Sequence, residues 1–210
     1  MNSIGSVWRK WDLHIHTPAS FHWSGKRLQQ QTDQEREQTS KAIVERMNSL
    51  DVDAFCIMDY WLFDGYLAVR EYVESNPGLL TKRLFPGIEL RLEAPTDFRL
   101  NTHILFDDAI LPEHLHNFLA RLNIGGASNK PPSRQNLIDL AKSFDDGKLR
   151  IHGHKKEDRA NDEKMLQLGL KTAVISRESL EEAMEVVGRE RCLMVSVRPK
   201  PYFCWSRLRG

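Results

Sequence analysis

The sequence predicts an α/β fold of successive βα units, arranged as an incomplete or distorted barrel rather than an open sheet. Three observations lead there. About seven short β-like runs recur, each parted from the next by a helical segment or a loop. The runs are mostly apolar throughout rather than alternating, the pattern of strands buried on both faces of a parallel sheet. The length of 210 residues is that of one domain and falls somewhat short of the roughly 250 typical of an eight-unit barrel.

In chain order the predicted strands are Trp11–His16, Val52–Met58, Leu84–Leu90, Phe98–Phe106, Lys148–Gly153, Lys171–Ile175 and Cys192–Val197. Between the first two, Thr32–Leu50 is long and polar, with Ile43, Met47 and Leu50 on one stripe, as in a helix covering a sheet. Leu137, Leu140, Ala141 and Phe144 follow the i, i+3, i+4, i+7 spacing of an amphipathic helix, and so do Leu180, Ala183, Met184 and Val187. Ser179 and Glu182 stand at capping-box spacing before the last of these, and Gly188 stands where it should stop. The cluster Gly125-Gly-Ala-Ser-Asn-Lys-Pro-Pro-Ser133 reads as a loop within one domain. The segment from Arg198 to Gly210 loses both periodicities, so the domain is expected over residues 1–197, with 198–210 an irregular tail foreign to the barrel.

Composition narrows the function. Thirty Lys+Arg against twenty-nine Asp+Glu give a formal charge of +1, which removes the electrostatic case for a dedicated nucleic-acid or membrane-surface binder. The longest apolar stretches, such as Asp53-Ala-Phe-Cys-Ile-Met58, are far below the roughly 18 residues that cross a bilayer, and the N-terminus lacks the layout of a signal peptide. A cytoplasmic protein without membrane contact is expected. Cys56, Cys192 and Cys204 form neither a close pair nor a CxxC, which leaves no disulfide framework or thiolate metal site, and Cys56 reads as a buried, inert thiol.

The most informative stretch is Trp11-Asp-Leu-His-Ile-His-Thr-Pro-Ala-Ser20. Strand positions two apart share a side, so His14 and His16 can direct both imidazoles at one ion, with Asp12 placed to orient a histidine from behind. Further ligand-type residues lie at or near the ends of successive apolar runs: Asp59, Glu89, His103 and His152. Strand C-termini of a βα barrel converge on one mouth, where such residues would meet. Imidazole and carboxylate without thiolate suit Zn, Mn or Fe in a hydrolytic site rather than a structural zinc.

On these residues the chain resembles the PHP domain (polymerase and histidinol phosphatase), whose opening motif reads Asp-Leu-His-x-His-Thr. Within that family it is similar to the N-terminal domain of TrlF-like proteins through Trp8-Arg-Lys-Trp-Asp-Leu-His-Ile-His-Thr-Pro-Ala-Ser-Phe21 and Leu84-Phe-Pro-Gly-Ile-Glu-Leu-Arg91. The resemblance implies a distorted seven-stranded (β/α)7 barrel with divalent metals at its mouth, and two-metal hydrolysis of a phosphate ester, with nucleic-acid ends, nucleotides and small esters all open as substrates. It implies His14 and His16 as ligands of one metal, Glu89 as bridging carboxylate, His103 and His152 as ligands of a second metal, and His22 as a further ligand. Asp59 would position or deprotonate the attacking water. Two departures from the family pattern stand out: Met58-Asp59-Tyr60 replaces its Thr-Asp-His, and its late Asp-x-His has no counterpart after His154. TrlF-like proteins continue into a P-loop ATPase, and no G-x-x-x-x-G-K-[ST] occurs here. A truncated or inactive metal-binding module regulating a separate P-loop ATPase partner is therefore the rival reading.

Arg91, Lys155 and Lys156 lie beside proposed ligands and could neutralise a substrate phosphate, against the plainer reading of solvated surface charges. His114 and His116 form a second HxH, but their segment reads as helix, where residues two apart do not face each other. His154 is an outside candidate. Tyr60 reads as a core tyrosine or as a hydrogen-bond partner behind the ligands, and Trp8 and Trp11 as aromatic closure of the barrel bottom.

Overall fold

The structure is a computed structural model that describes residues 8–93, 100–125 and 130–197. Among these, five strands form one open mixed sheet in the spatial order β1-β2-β3-β4-β5. The strands are β1 (Trp11–Ile15), β2 (Ala54–Tyr60), β3 (Arg83–Leu92), β4 (Leu100–Phe106) and β5 (Cys192–Val197). β1, β2 and β3 run parallel, β4 is antiparallel to both its neighbours, and the barrel expected from the sequence is not closed. Only residues 93–99 separate β3 from β4, too few for the dozen or more of a parallel crossover, so the strand must turn back. Phe98 and Arg99, the start of that predicted run, lie outside the described residues, as do Cys204 and the tail 198–210.

Seven helices are described. α1 (Asp33–Ser49) starts at a capping box in which Glu35 N–H donates to Thr32 Oγ1 at 3.3 Å and Thr32 N–H to Glu35 Oε2 at 2.7 Å. α2 (Asp64–Ser75) links β2 to β3, and α3 (Pro112–Arg121) carries proline in its first turn, where no N–H is missed. α4 (Arg134–Lys142) and α6 (Asp162–Thr172) are capped by Ser133 and Asn161. α7 (Arg177–Val187) starts three residues earlier than its sequence suggests: Ser176 is the cap, while Ser179 Oγ accepts from Asn123 N–H at 2.8 Å. Gly188, with φ of 93°, ends it as expected.

Two predicted strands are helical. Lys148–Gly153 falls in and just after α5 (Asp146–Ile151), because the preceding Asp145 supplies a side-chain cap to Lys148 N–H at 2.8 Å. Lys171–Ile175 begins as the end of α6, since the stripe Met165, Leu166, Leu168 and Leu170 carries the helix on, and only Ile175 bridges to the sheet, beside Leu92.

One sheet face, with Phe55, Ile57, Ile88, Leu90, Ile104 and Phe106, packs into the large core under the helices. The other carries a small cluster of Cys56, Met58 and Leu105 with Leu13 and Phe85. Trp11 stacks on Phe85 at 5.4 Å yet is half exposed, and Trp8 is exposed: β1 is a sheet edge, so there is no barrel bottom for them to close. No helix among the described residues is long and apolar enough to cross a membrane.

Candidate metal centre

Strand register assembles the site. Tyr60 pairs with Glu89 across β2 and β3, and Glu89 with His103 across β3 and β4, so three polar side chains form one row on the sheet face that carries Cys56 and Met58, with Tyr60 also packed at the edge of the main core. Asn101, two residues before His103, shares that face. On β1, Asp12 faces Phe55 and Ile15 faces Ile57, so Leu13 and His14 together oppose a single residue, a bulge that re-aims the strand's end.

The expected convergence of His14 and His16 is present: their Nε2 atoms lie 3.1 Å apart. Glu89 Oε2 stands 3.3 Å from His14 Nε2 and 3.8 Å from His16 Nε2. His103 approaches from β4, its ring 4.5 Å from that of His14 and its Nε2 3.7 Å from Glu89 Oε1. His14, Glu89 and His103 each offer a ligand atom within 4.8 Å of the others.

The two oxygens of Glu89, which is 2% exposed, have different surroundings. Oε1 accepts from Tyr60 O–H at 2.6 Å and Asn101 Nδ2 at 2.7 Å. Oε2 is buried and has no hydrogen-bond partner among the described residues. An orphaned buried acceptor typically costs about 1–3 kcal/mol, more when charged, which a cation facing Oε2 would relieve. The donor set fits such a cation. Ligand atoms 2.0–2.2 Å from a tetrahedral metal stand about 3.4 Å from one another, and the His14, His16 and Glu89 atoms are separated by 3.1, 3.3 and 3.8 Å. Burial would raise the Glu89 carboxyl, but His103, His14 and the Tyr60 hydroxyl outweigh it and hold the group well below the usual carboxylate range, so it is anionic at neutral pH.

His22 follows the buried turn Thr17–Ser20 and is itself exposed, its ring 5.6 Å from that of His16. Desolvation and then His16 lower it to about 4, which keeps its imidazole neutral. Arg27, donating to the Ser20 and Phe21 carbonyls, fixes this turn.

Asp59 is 1% exposed, and both its oxygens are engaged: Oδ1 accepts from Thr17 N–H at 2.9 Å and Oδ2 from Thr17 Oγ1 at 2.5 Å. It also stands 3.7 Å from His16 Nδ1. Its register partner is Ile88, on the helix side of the sheet, so the carboxylate clamps the turn that carries His16 rather than joining the Glu89 row. Asp12 accepts from the backbone N–H of His14 at 3.3 Å and so steadies the bulge itself.

Arg91, read from the sequence as a phosphate contact or a surface charge, is buried. It donates to Leu170 O at 2.6 Å, satisfying a carbonyl in the last turn of α6, and its guanidinium lies 4.6 Å from the Tyr60 ring centre. Trp61, in the left-handed region with φ of 65°, donates from Nε1 to the same carbonyl at 2.9 Å. His152 stands at the C-terminal cap of α5 with its ring 6.4 Å from Phe144, outside the His14, Glu89 and His103 group, because its segment is helix and not strand. Lys155 and Lys156 are exposed around the 3-10 turn Lys156–Ala160, where Lys155 N–H donates to Asp158 at 2.8 Å. His114 and His116 lie on α3, as their spacing indicated. Sequence reasoning missed Asn101 and Thr17; period-two placement beside His103 points to the first, and nothing local points to the second.

No protein-family model matches the sequence, and a comparison with curated proteins gives no match. Among solved structures, a protein described as a metal-dependent phosphoesterase from Bifidobacterium adolescentis aligns with a TM-score of 0.43 at 14% identity, over 90% of this chain and 66% of that one. An amidohydrolase from Chromobacterium violaceum aligns with a TM-score of 0.41 at 14% identity, over 86% and 51%. The chain thus spans about two thirds and about half of their lengths.

Proposed function

We propose that the chain is a divalent-cation-dependent hydrolase acting on phosphate esters, with His14, His16, Glu89 and His103 holding the cation and His22 beside them. The observation that carries the cation is Glu89 Oε2, a buried anionic oxygen without a donor among the described residues that faces two imidazole nitrogens. Phosphate ester as the substrate class rests on the resemblance to PHP domains.

A bound Zn, Mn or Fe ion would supply Lewis acidity, lowering the pKa of water and offsetting charge that develops on phosphoryl oxygens. The protein's own part is positioning. Asp59 and Thr17 hold the turn bearing His16, the β1 bulge and Asp12 set His14, and the register of β3 with β4 sets His103 opposite Glu89. Asp59 acts in this reading through Thr17 and His16 rather than as a base on water, since it is buried on the helix side of the sheet and each of its oxygens accepts from Thr17.

The test is metal content together with hydrolysis of bis(p-nitrophenyl) phosphate, nucleotides and oligonucleotide ends, for the wild-type chain and for His14→Ala and Glu89→Ala. Both variants should lose bound cation and turnover together while keeping their circular dichroism. Hydrolysis that survives both substitutions would sink the assignment.

A further inference from the structure

The family resemblance makes Glu89 a bridge between two ions, one on each oxygen. The hydrogen bonds around it do not allow that, and we infer that Glu89 serves a single ion through Oε2, with Tyr60 and Asn101 as positioning residues that close Oε1. The inference rests on the cation reading above and deepens it.

An ionised carboxylate offers about four lone-pair directions, two on each oxygen. Both on Oε1 are used: Tyr60 O–H donates at 2.6 Å and Asn101 Nδ2 at 2.7 Å, short bonds of the charge-assisted kind. His103 Nε2, at 3.7 Å from Oε1, is beyond hydrogen-bonding distance and leaves that count unchanged. No described residue donates a hydrogen bond to Oε2, and that oxygen faces His14 and His16. A second ion on Oε1 would have to displace two donors from a carboxylate that is 2% exposed.

The donors are themselves held. Tyr60 is buried, at the register position opposite Glu89, and its ring is covered by the Arg91 guanidinium at 4.6 Å, which is tied to Leu170 O. Asn101 lies on the same sheet face as His103, diagonal to Glu89 across the β3–β4 pair, within reach of a cross-strand side chain. The pair also fixes which oxygen turns toward the imidazoles, as hydrogen-bonded partners behind a ligand commonly do.

The experiment titrates the chelator-stripped full chain with Mn²⁺, reading stoichiometry by calorimetry and the spin state by electron paramagnetic resonance. One tight equivalent with the six-line signal of an isolated ion is expected. Two tight equivalents with an exchange-coupled signal overturn the inference and leave the cation reading standing. No binding at all overturns both. The Tyr60→Phe/Asn101→Ala variant, checked for folding by its urea transition, frees Oε1. It should bind the first ion roughly 10–100-fold more weakly, the usual effect of losing such a partner, and should admit a second equivalent. Unchanged affinity and stoichiometry in a folded variant would refute the positioning role, and the wild-type measurement stands even if the variant does not fold.

Discussion

Gly65, in the first turn of α2, sets helix propensity against a close approach. A Cβ there would fall inside contact distance of Thr17 Oγ1 and Asp59 Oδ2 and 2.9 Å from Thr17 Cβ, where real contacts stay above 3.0 Å. Gly65 has no positive φ, so propensity alone predicts that Gly65→Ala stabilises the chain, by up to about 1 kcal/mol. The packing predicts the opposite. Overfilling a close-packed site costs about 1–3 kcal/mol, and moving Thr17 off the buried Asp59 carboxylate forfeits a charge-assisted hydrogen bond worth about 1.5–3 kcal/mol. The net expectation is a loss of about 2–4 kcal/mol, or about 4–16 °C in Tm for a chain of this size. The assay is urea unfolding followed by tryptophan fluorescence, with EDTA present so that cation binding adds nothing to stability. A variant as stable as the wild type would refute the idea that α2 is seated on the Asp59–Thr17 clamp.

Further expectations follow from the same contacts. Gly169→Ala, on α6, would drive a Cβ into the backbone of Leu137, including its carbonyl carbon at 2.7 Å, and main chain cannot swing aside; a loss of at least about 2 kcal/mol is expected, and a neutral urea midpoint would contradict the close α4–α6 packing. Burial, followed by Asp12 and Asp59, pushes the Cys56 thiol above its ordinary 9.0. A raised folded pKa gives stability that is fully present below pH 9 and lost as pH rises, so the stripped chain should lose up to about 1.4 kcal/mol per pH unit above 9 from this group. Cys56→Ala should be less stable at pH 7 but less steep above pH 9, and parallel profiles would count against the buried thiol. Arg91→Met should destabilise the chain by about 1–3 kcal/mol through the lost charge-assisted hydrogen bond to Leu170 O, which Trp61 Nε1 alone would then satisfy; a variant that changed only substrate KM would return Arg91 to its reading as a phosphate contact.

Legibility in the sequence varied with the range of the interaction that decides each feature. α1, α3, α4 and α7 are readable because their apolar stripes or helix-favouring runs are local, although the α7 cap is Ser176 rather than Ser179. The convergence of His14 and His16 was readable because strand alternation is also local. Lys148–Gly153 reads as strand because Leu149 and Ile151 alternate with period two, but the Asp145 cap decides for helix, which buries Leu149 and leaves Ile151 82% exposed. The reversal at β4 was encoded in the short gap 93–99 but was overridden by the repeating βα pattern.

By itself, then, the sequence determined the local chemistry: a histidine pair at a strand end, an acidic residue closing Phe85-Pro-Gly-Ile-Glu89, and a histidine in the next strand, because residue type and short spacing are properties of the chain. Only the tertiary structure decided which of these meet. Strand register placed Tyr60, Glu89 and His103 in one row, and helix rather than strand at α5 left His152 outside the group. It also decided what each carboxylate does. The fate of an oxygen depends on donors brought from residues 12 to 42 positions away, Asn101 and Tyr60 for Glu89 and Thr17 for Asp59, and that pairing is fixed by packing and register, not by neighbours in sequence.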